Sequence, residues 1–213
     1  MKKLMLAFLF IFLNFNLNLN EHTLNLLPAF VGYIFMYQGI NELIYEIPRY
    51  AKIQKFVVVM GACTAVEWVM NLLGVSIGIG FAVFASAYSL VLTFISFYIS
   101  YHIVKGISDV ERENSYPLGG EKLEKTWLVL VVCNGAGSVL SLIGMLGIPA
   151  MVLFGLLCAI VALVTIICFL VFFNTTKNEY YKMKAVMAQN MAMNAYMEAQ
   201  NAENKEETQE TIE

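Results

Sequence analysis

The chain has 213 residues, of which 59% are apolar and 14% charged, with a net charge of −3 and a mean hydropathy of +0.68. Soluble globular domains average roughly 45–50% apolar and 25% charged residues, so this composition excludes an ordinary soluble enzyme and predicts a polytopic membrane protein of the all-α class. The acidic excess sits mainly in the closing NKEETQETIE, and no basic patch suited to nucleic acid is present.

The opening MKKLMLAFLFIFL has the basic start and apolar core of a signal peptide, but no small-residue cleavage site follows, and it is read as uncleaved. Apolar runs between charged ones predict six spans, roughly 3–19, 24–44, 56–75, 77–104, 127–147 and 149–173. The thirteen Lys and Arg residues fall before span one and after spans two, four and six, and none falls in the other three loops. The positive-inside rule then places both termini in the cytoplasm and folds the chain into three hairpins.

Within span one, NFNLNLN (14–20) alternates amide and apolar residues as a β-strand does. Continuation as helix is the preferred expectation, because no strand partner is evident. An extended segment would imply an outward-facing polar cleft. The turns NLLGVSIGIGFAVFA (71–85) and SLIGMLGIPAMVLFG (141–155) resemble each other, through a distant duplication or through the need of tight turns for Gly and Pro. The loop 105–126 reads as a solvated connector. Residues 1–174 are expected to form a six-helix bundle, and 175–213 a cytoplasmic helix with a partial Met183, Met187, Met191 stripe, followed by a disordered acidic tail.

Few polar residues lie inside the spans. Glu67 is the only acid well within one; an ionised carboxylate is costly there, so it is expected to face the bundle with Thr64 and Asn71 on its face. It is either a protonatable coupling site or a protonated lock between helices. Ser86, Ser89, Thr93, Ser96 and Ser100 recur every three or four residues as one stripe of span four, read as a packing seam or the lining of a polar pathway. Asn134, Gly137, Ser138, Ser141 and Gly144 repeat the idea in span five, and Ala29, Gly32 and Gly39 in span two. The expectation is a bundle whose spans two to five turn these faces inward around Glu67.

Cys63, Cys133, Cys158 and Cys168 lack ligand spacing, and His22 and His102 stand far apart, so no metal and no cofactor is expected. With no G-x-S-x-G, H-E-x-x-H, P-loop or dinucleotide fingerprint, an enzyme is not expected either. FNLNLNEHTLNLLPAFVGYIFMYQGINEL (15–43) resembles the start of small, uncharacterised multi-span membrane proteins of Gram-positive bacteria, in which Leu-Pro-Asp-Phe is expected where this chain has Ala29. That resemblance implies a bacterial cytoplasmic membrane and no particular activity. Two functions are compatible with the sequence: a small-solute transporter or transporter subunit, similar in size and topology to the membrane components of multi-component vitamin transporters, and a non-transporting scaffold or regulator acting through its loop and tail. The expected partners are the lipid bilayer and a membrane protein or second copy of the chain, with no nucleic acid.

Overall fold

The computed structural model describes the backbone of residues 1–12, 16–19, 22–25, 28–73, 82–144 and 149–210, and side chains over 1–12, 28–73, 87–137 and 154–201. Among the described residues there are six α-helices, one small hairpin and a short 3-10 helix: α1 (Lys2–Phe12), β1 (Asn16–Leu19), β2 (His22–Asn25), α2 (Ala29–Leu43), the 3-10 helix (Pro48–Lys52), α3 (Gln54–Leu72), α4 (Ala82–Asn114), α5 (Gly120–Gly144) and α6 (Pro149–Glu210). Among the described residues, three helices are long and apolar enough to cross a membrane, within α3, α4 and α6. The chain divides into two units, Met1–Lys177 and Asn178–Glu213.

Of the helical continuation expected through 14–20, residues 16–19 are strand instead, and 14, 15 and 20 lie outside the described residues. β1 pairs antiparallel with β2, Asn16 opposite Asn25, Leu17 opposite Leu24 and Asn18 opposite Thr23. The strand partner overlaps the start of span two at Leu24 and Asn25, and α1 and α2 are shorter than spans 3–19 and 24–44. In three of the four register pairs polar meets polar or Leu meets Leu, the fourth setting Leu19 opposite His22, whereas a helix would scatter the amides around its circumference. The turns at 74–81 and 145–148, on which the duplication rests, lie outside the described residues.

The loop 105–126 is mostly helix. α4 continues to Asn114, Ser115 and Gly119 take left-handed φ of 49° and 81°, and α5 starts at Gly120, whose N–H donates to Glu111 Oε2 at 2.6 Å. Here the glycine at 119 is required by its backbone conformation. The acidic stretch expected to be disordered is helical to Glu210, because Ala, Glu, Gln and Lys extend an already nucleated helix at little cost. In the second unit, Met191, Met193, Tyr196 and Met197 are exposed and Lys182 pairs with Glu179 at 2.7 Å.

In the first unit, α2 packs against α1 and α3, and α4 against α5. Phe8 of α1 meets Phe169 and Phe173 of α6 edge-to-face, with centroids 5.1 Å apart in both cases. All three rings are buried, as are Leu4, Ile40, Tyr50, Ile53, Ile103 and Ile107. Charged contacts brace the same end. Lys3 pairs with Glu42 at 2.6 Å, Arg49 with Asp109 at 2.6 Å and Lys105 with Glu124 at 2.9 Å, while Thr176 Oγ1 donates to the Leu118 carbonyl at 2.9 Å. Away from this end packing thins: only 11% of the apolar window of α3 is buried.

Burial in the α4–α5 seam pushes the Glu124 carboxyl up, but Ser108 and Lys105 beside it outweigh burial and the net displacement is downward. Ser108 Oγ makes no hydrogen bond of ordinary geometry, which leaves Lys105 as the bonded partner. A depressed carboxylate stabilises the fold above its unfolded pKa of about 4.3 and loses that contribution as pH falls through its folded value. Acidification below about pH 4 is therefore expected to loosen the α4–α5 brace, read as faster amide exchange over 120–125. With both partners about one-third exposed, the effect stays under about 1 kcal/mol, and Lys105→Met should abolish it.

Candidate functional site

The polar residues inside the helices sort into those satisfied by their own helix and those that reach across. Thr64 Oγ1 donates to the Met60 carbonyl at 2.8 Å, Thr93 Oγ1 to Ser89 at 2.8 Å, and Asn134 Nδ2 to Leu130 at 2.8 Å. Such i→i−4 bonds satisfy a hydroxyl or amide without a neighbouring helix. Asn71 and Ser89 are exposed. The α4 stripe is thus not a continuous buried seam: of its described members only Ser100 is buried, and the side chain of Ser86 lies outside the described residues.

Ser100 begins the cross-helix connections. Its Oγ donates to the Ser96 carbonyl at 2.9 Å and accepts from Trp127 Nε1 of α5 at 2.9 Å. Tyr101 stacks obliquely on Trp127, with centroids 5.3 Å apart, and together they close α4 on α5. On the α2 side, the Ser96 hydroxyl neighbours Tyr33, whose ring is buried. Tyr33 also lies within electrostatic reach of Glu67. The Glu67 carboxylate is half-buried on α3 beside the Tyr88 hydroxyl of α4, with Cys63 next to both. Trp127 and Ser100 thus join α5 to α4 by a hydrogen bond, while Ser96, Tyr33, Glu67 and Tyr88 form a polar chain of neighbours contributed by α2, α3 and α4 without a continuous hydrogen-bonded path among the described residues.

At its centre is an internal cavity of about 30 Å³ lined by Tyr33, Ser96 and Ser100 and closed by Phe8, Phe12 and Leu130. That volume accommodates a single water, and the polar residues in its wall are Tyr33, Ser96 and Ser100. The cavity can thus hold a single water or a polar group of that size. Among the described residues no cluster of His, Cys, Asp or Glu could hold a metal ion.

Of the residues singled out in the sequence, Glu67 and Ser96 belong to this chain, Thr64, Thr93 and Asn134 bond their own helices, and Asn71 and Ser89 face outward. The expectation that α2 turns its small residues toward Glu67 is corrected. A Cβ on Gly32 would stand 2.8 Å from Ile11 Cγ1 and 2.9 Å from the Ala7 carbonyl, and one on Gly39 2.9 Å from Leu4 Cγ, so this face is where α1 docks. Tyr33, the residue after Gly32, is the group that α2 turns to the polar chain. Sequence reasoning missed Tyr33, Tyr88 and Trp127 because aromatic residues inside apolar runs read as bulk. Their signal is the hydroxyl or N–H that a buried Tyr or Trp must satisfy.

Searches against protein-family models, curated proteins and solved structures find no match for this chain.

Proposed function

We propose that the chain is a multi-pass protein of a bacterial cytoplasmic membrane that binds a small polar solute along the Glu67, Tyr33 and Ser96 chain, as a carrier or as the solute-binding subunit of a transporter. Six crossings are part of this reading, with both termini cytoplasmic. Three facts support that topology. The basic segments brace one another at a single end, through Lys3, Arg49 and Lys105. The start of α1 also meets the basic end of span six there, where Lys177 Nζ lies 3.6 Å from Met5 Sδ. Finally, eleven helical residues of α1 and four extended residues of β1 reach about 16 Å plus about 13 Å, close to the roughly 30 Å hydrocarbon thickness.

The observation that carries the function is the half-buried Glu67 of α3, beside the Tyr88 hydroxyl of α4 and within electrostatic reach of Tyr33 of α2, which with Ser96 lines a small cavity that Glu67 does not itself enter. An intramembrane acid at such a place has a partner or a solute to bind. The test is native mass spectrometry of gently extracted protein beside Glu67→Leu. The wild type is expected to retain a small polar compound that the variant loses, with thermal midpoints of the two within a few degrees. Equal retention would overturn solute binding at Glu67, and a large loss of stability without any retained compound would make it a helix lock.

The separate unit Asn178–Glu213, with its exposed Met191, Met193, Tyr196 and Met197, favours a second reading, a scaffold acting through its tail. Deleting 178–213 distinguishes the two, since solute binding survives the deletion and tail-driven assembly does not.

A further inference from the structure

Where the α2–α3 connection meets the last turns of α4, a cleft of about 340 Å³ opens to solvent, with Ile47 and Val110 in its wall and Arg49, Lys52, Asp109 and Glu113 around it. Ile47 and Val110 are buried. Asp109 is fully engaged, with Arg49 Nε on one oxygen at 2.6 Å and Arg112 on the other at 3.2 Å. Arg49 uses only its Nε in this pair, so both terminal amino groups are unbonded among the described residues. Lys52 and Glu113 form no ion pair among the described residues. Besides the engaged Asp109, the cleft therefore offers two cationic donors, the carboxylates of Glu113 and Glu46, and an apolar wall, while Tyr45, next in sequence to Glu46, is 94% exposed.

We infer that this cleft binds the head group of a zwitterionic phospholipid bearing a primary amine, with the phosphate held by Arg49 and Lys52 and the ammonium by Glu113. The inference rests on the membrane reading, which sets Arg49 and Lys52 at the cytoplasmic boundary, where basic pockets between helices meet lipid phosphates. A guanidinium edge with two unbonded amino groups matches two phosphate oxygens. A purely anionic head group would leave Glu113 against negative charge. A quaternary amine donates no hydrogen bond and is recognised by aromatic faces, which the cleft lining lacks. The exposed Tyr45 suits the same boundary, where aromatic side chains concentrate.

The full chain, reconstituted in vesicles of equal phosphatidylethanolamine, phosphatidylcholine and phosphatidylglycerol, is extracted gently, and the retained lipids are counted by native mass spectrometry. Phosphatidylethanolamine is expected to be retained about tenfold over each of the others, and Lys52→Ala and Glu113→Ala each to reduce that by about fivefold, the scale of one charge-assisted hydrogen bond. Both side chains are at the surface, so neither change threatens folding. Equal retention of the three lipids, or retention unchanged in both variants, would overturn the inference. So would a preference for phosphatidylglycerol that Glu113→Ala strengthens, since the site would then read phosphate alone. Soluble glycerophosphoethanolamine is added in a parallel arm, and its binding with no retained lipid would assign the cleft to a cytosolic phospho-amine instead. Recovery of the chain in the soluble fraction before extraction is a separate result, overturning the membrane reading and not merely the lipid one.

Discussion

Replacing Tyr50 by alanine is expected to cost about 3–5 kcal/mol, as for other large buried aromatic side chains. Tyr50 is fully buried in the 3-10 helix that joins α2 to α3, its hydroxyl donates to the Ile103 carbonyl at 3.1 Å, and its ring closes over Gly106. A Cβ on Gly106 would stand 2.5 Å from Tyr50 Cε1 and 2.8 Å from Ile47 Cγ2. The ring thus fills a space that α4 leaves open only because residue 106 has no side chain. Tyr50→Phe keeps the ring and loses one hydrogen bond, an expected cost of about 1 kcal/mol. Thermal unfolding of the three proteins in one mild detergent checks the order. If Tyr50→Ala costs no more than Tyr50→Phe, the ring is not what joins the connection to α4.

The second large effect is expected at Gly32. Gly32→Leu places a side chain against the Ala7 carbonyl oxygen, only 2.9 Å from where its Cβ would stand, and a backbone carbonyl moves only with its helix. Overpacking of this kind costs about 1–3 kcal/mol or more, here with the added loss of the α1 docking face. Close helix approach at small residues is a main source of stability where lipid removes the hydrophobic drive between helices. The matching control is Gly155→Ala, where nothing lies within 4 Å of the added Cβ and where the helix gains roughly 1 kcal/mol in propensity. Cross-linking between cysteines introduced on α1 and α2 reads the separation directly, and an unchanged yield in Gly32→Leu would contradict the docking.

These contrasts show where the sequence was informative. Glycines spaced seven apart in α2 announce a close contact, but not its partner: Gly32 and Gly39 face Leu4, Ala7 and Ile11 and not Glu67. Period alone fixes a face and leaves open which helix covers it. The period-two stretch around residues 16–19 was visible, yet its partner at 22–25 was concealed by a hydropathic run that also fits a helix. The hydroxyl stripe of α4 was real as a pattern, but a Ser or Thr in a helix can bond its own carbonyl four residues back, as Thr93 does, so periodic hydroxyls do not imply a lined path. Glu67 stood out because carboxylates are rare at such depth. Its neighbours Tyr33 and Tyr88 did not, since aromatic residues are ordinary there.

The aromatic contact between α1 and α6 also orders events in time. Phe8 and Met5 leave the ribosome well before Phe169 and Lys177, since Met5 and Lys177 are 172 positions apart. Until α6 arrives, the faces of Phe8 and Phe12 that it covers have no permanent neighbour. A truncated or stalled chain therefore exposes a greasy, aromatic flank on its first helix, the surface that a membrane insertase or quality-control protease would read as unfinished.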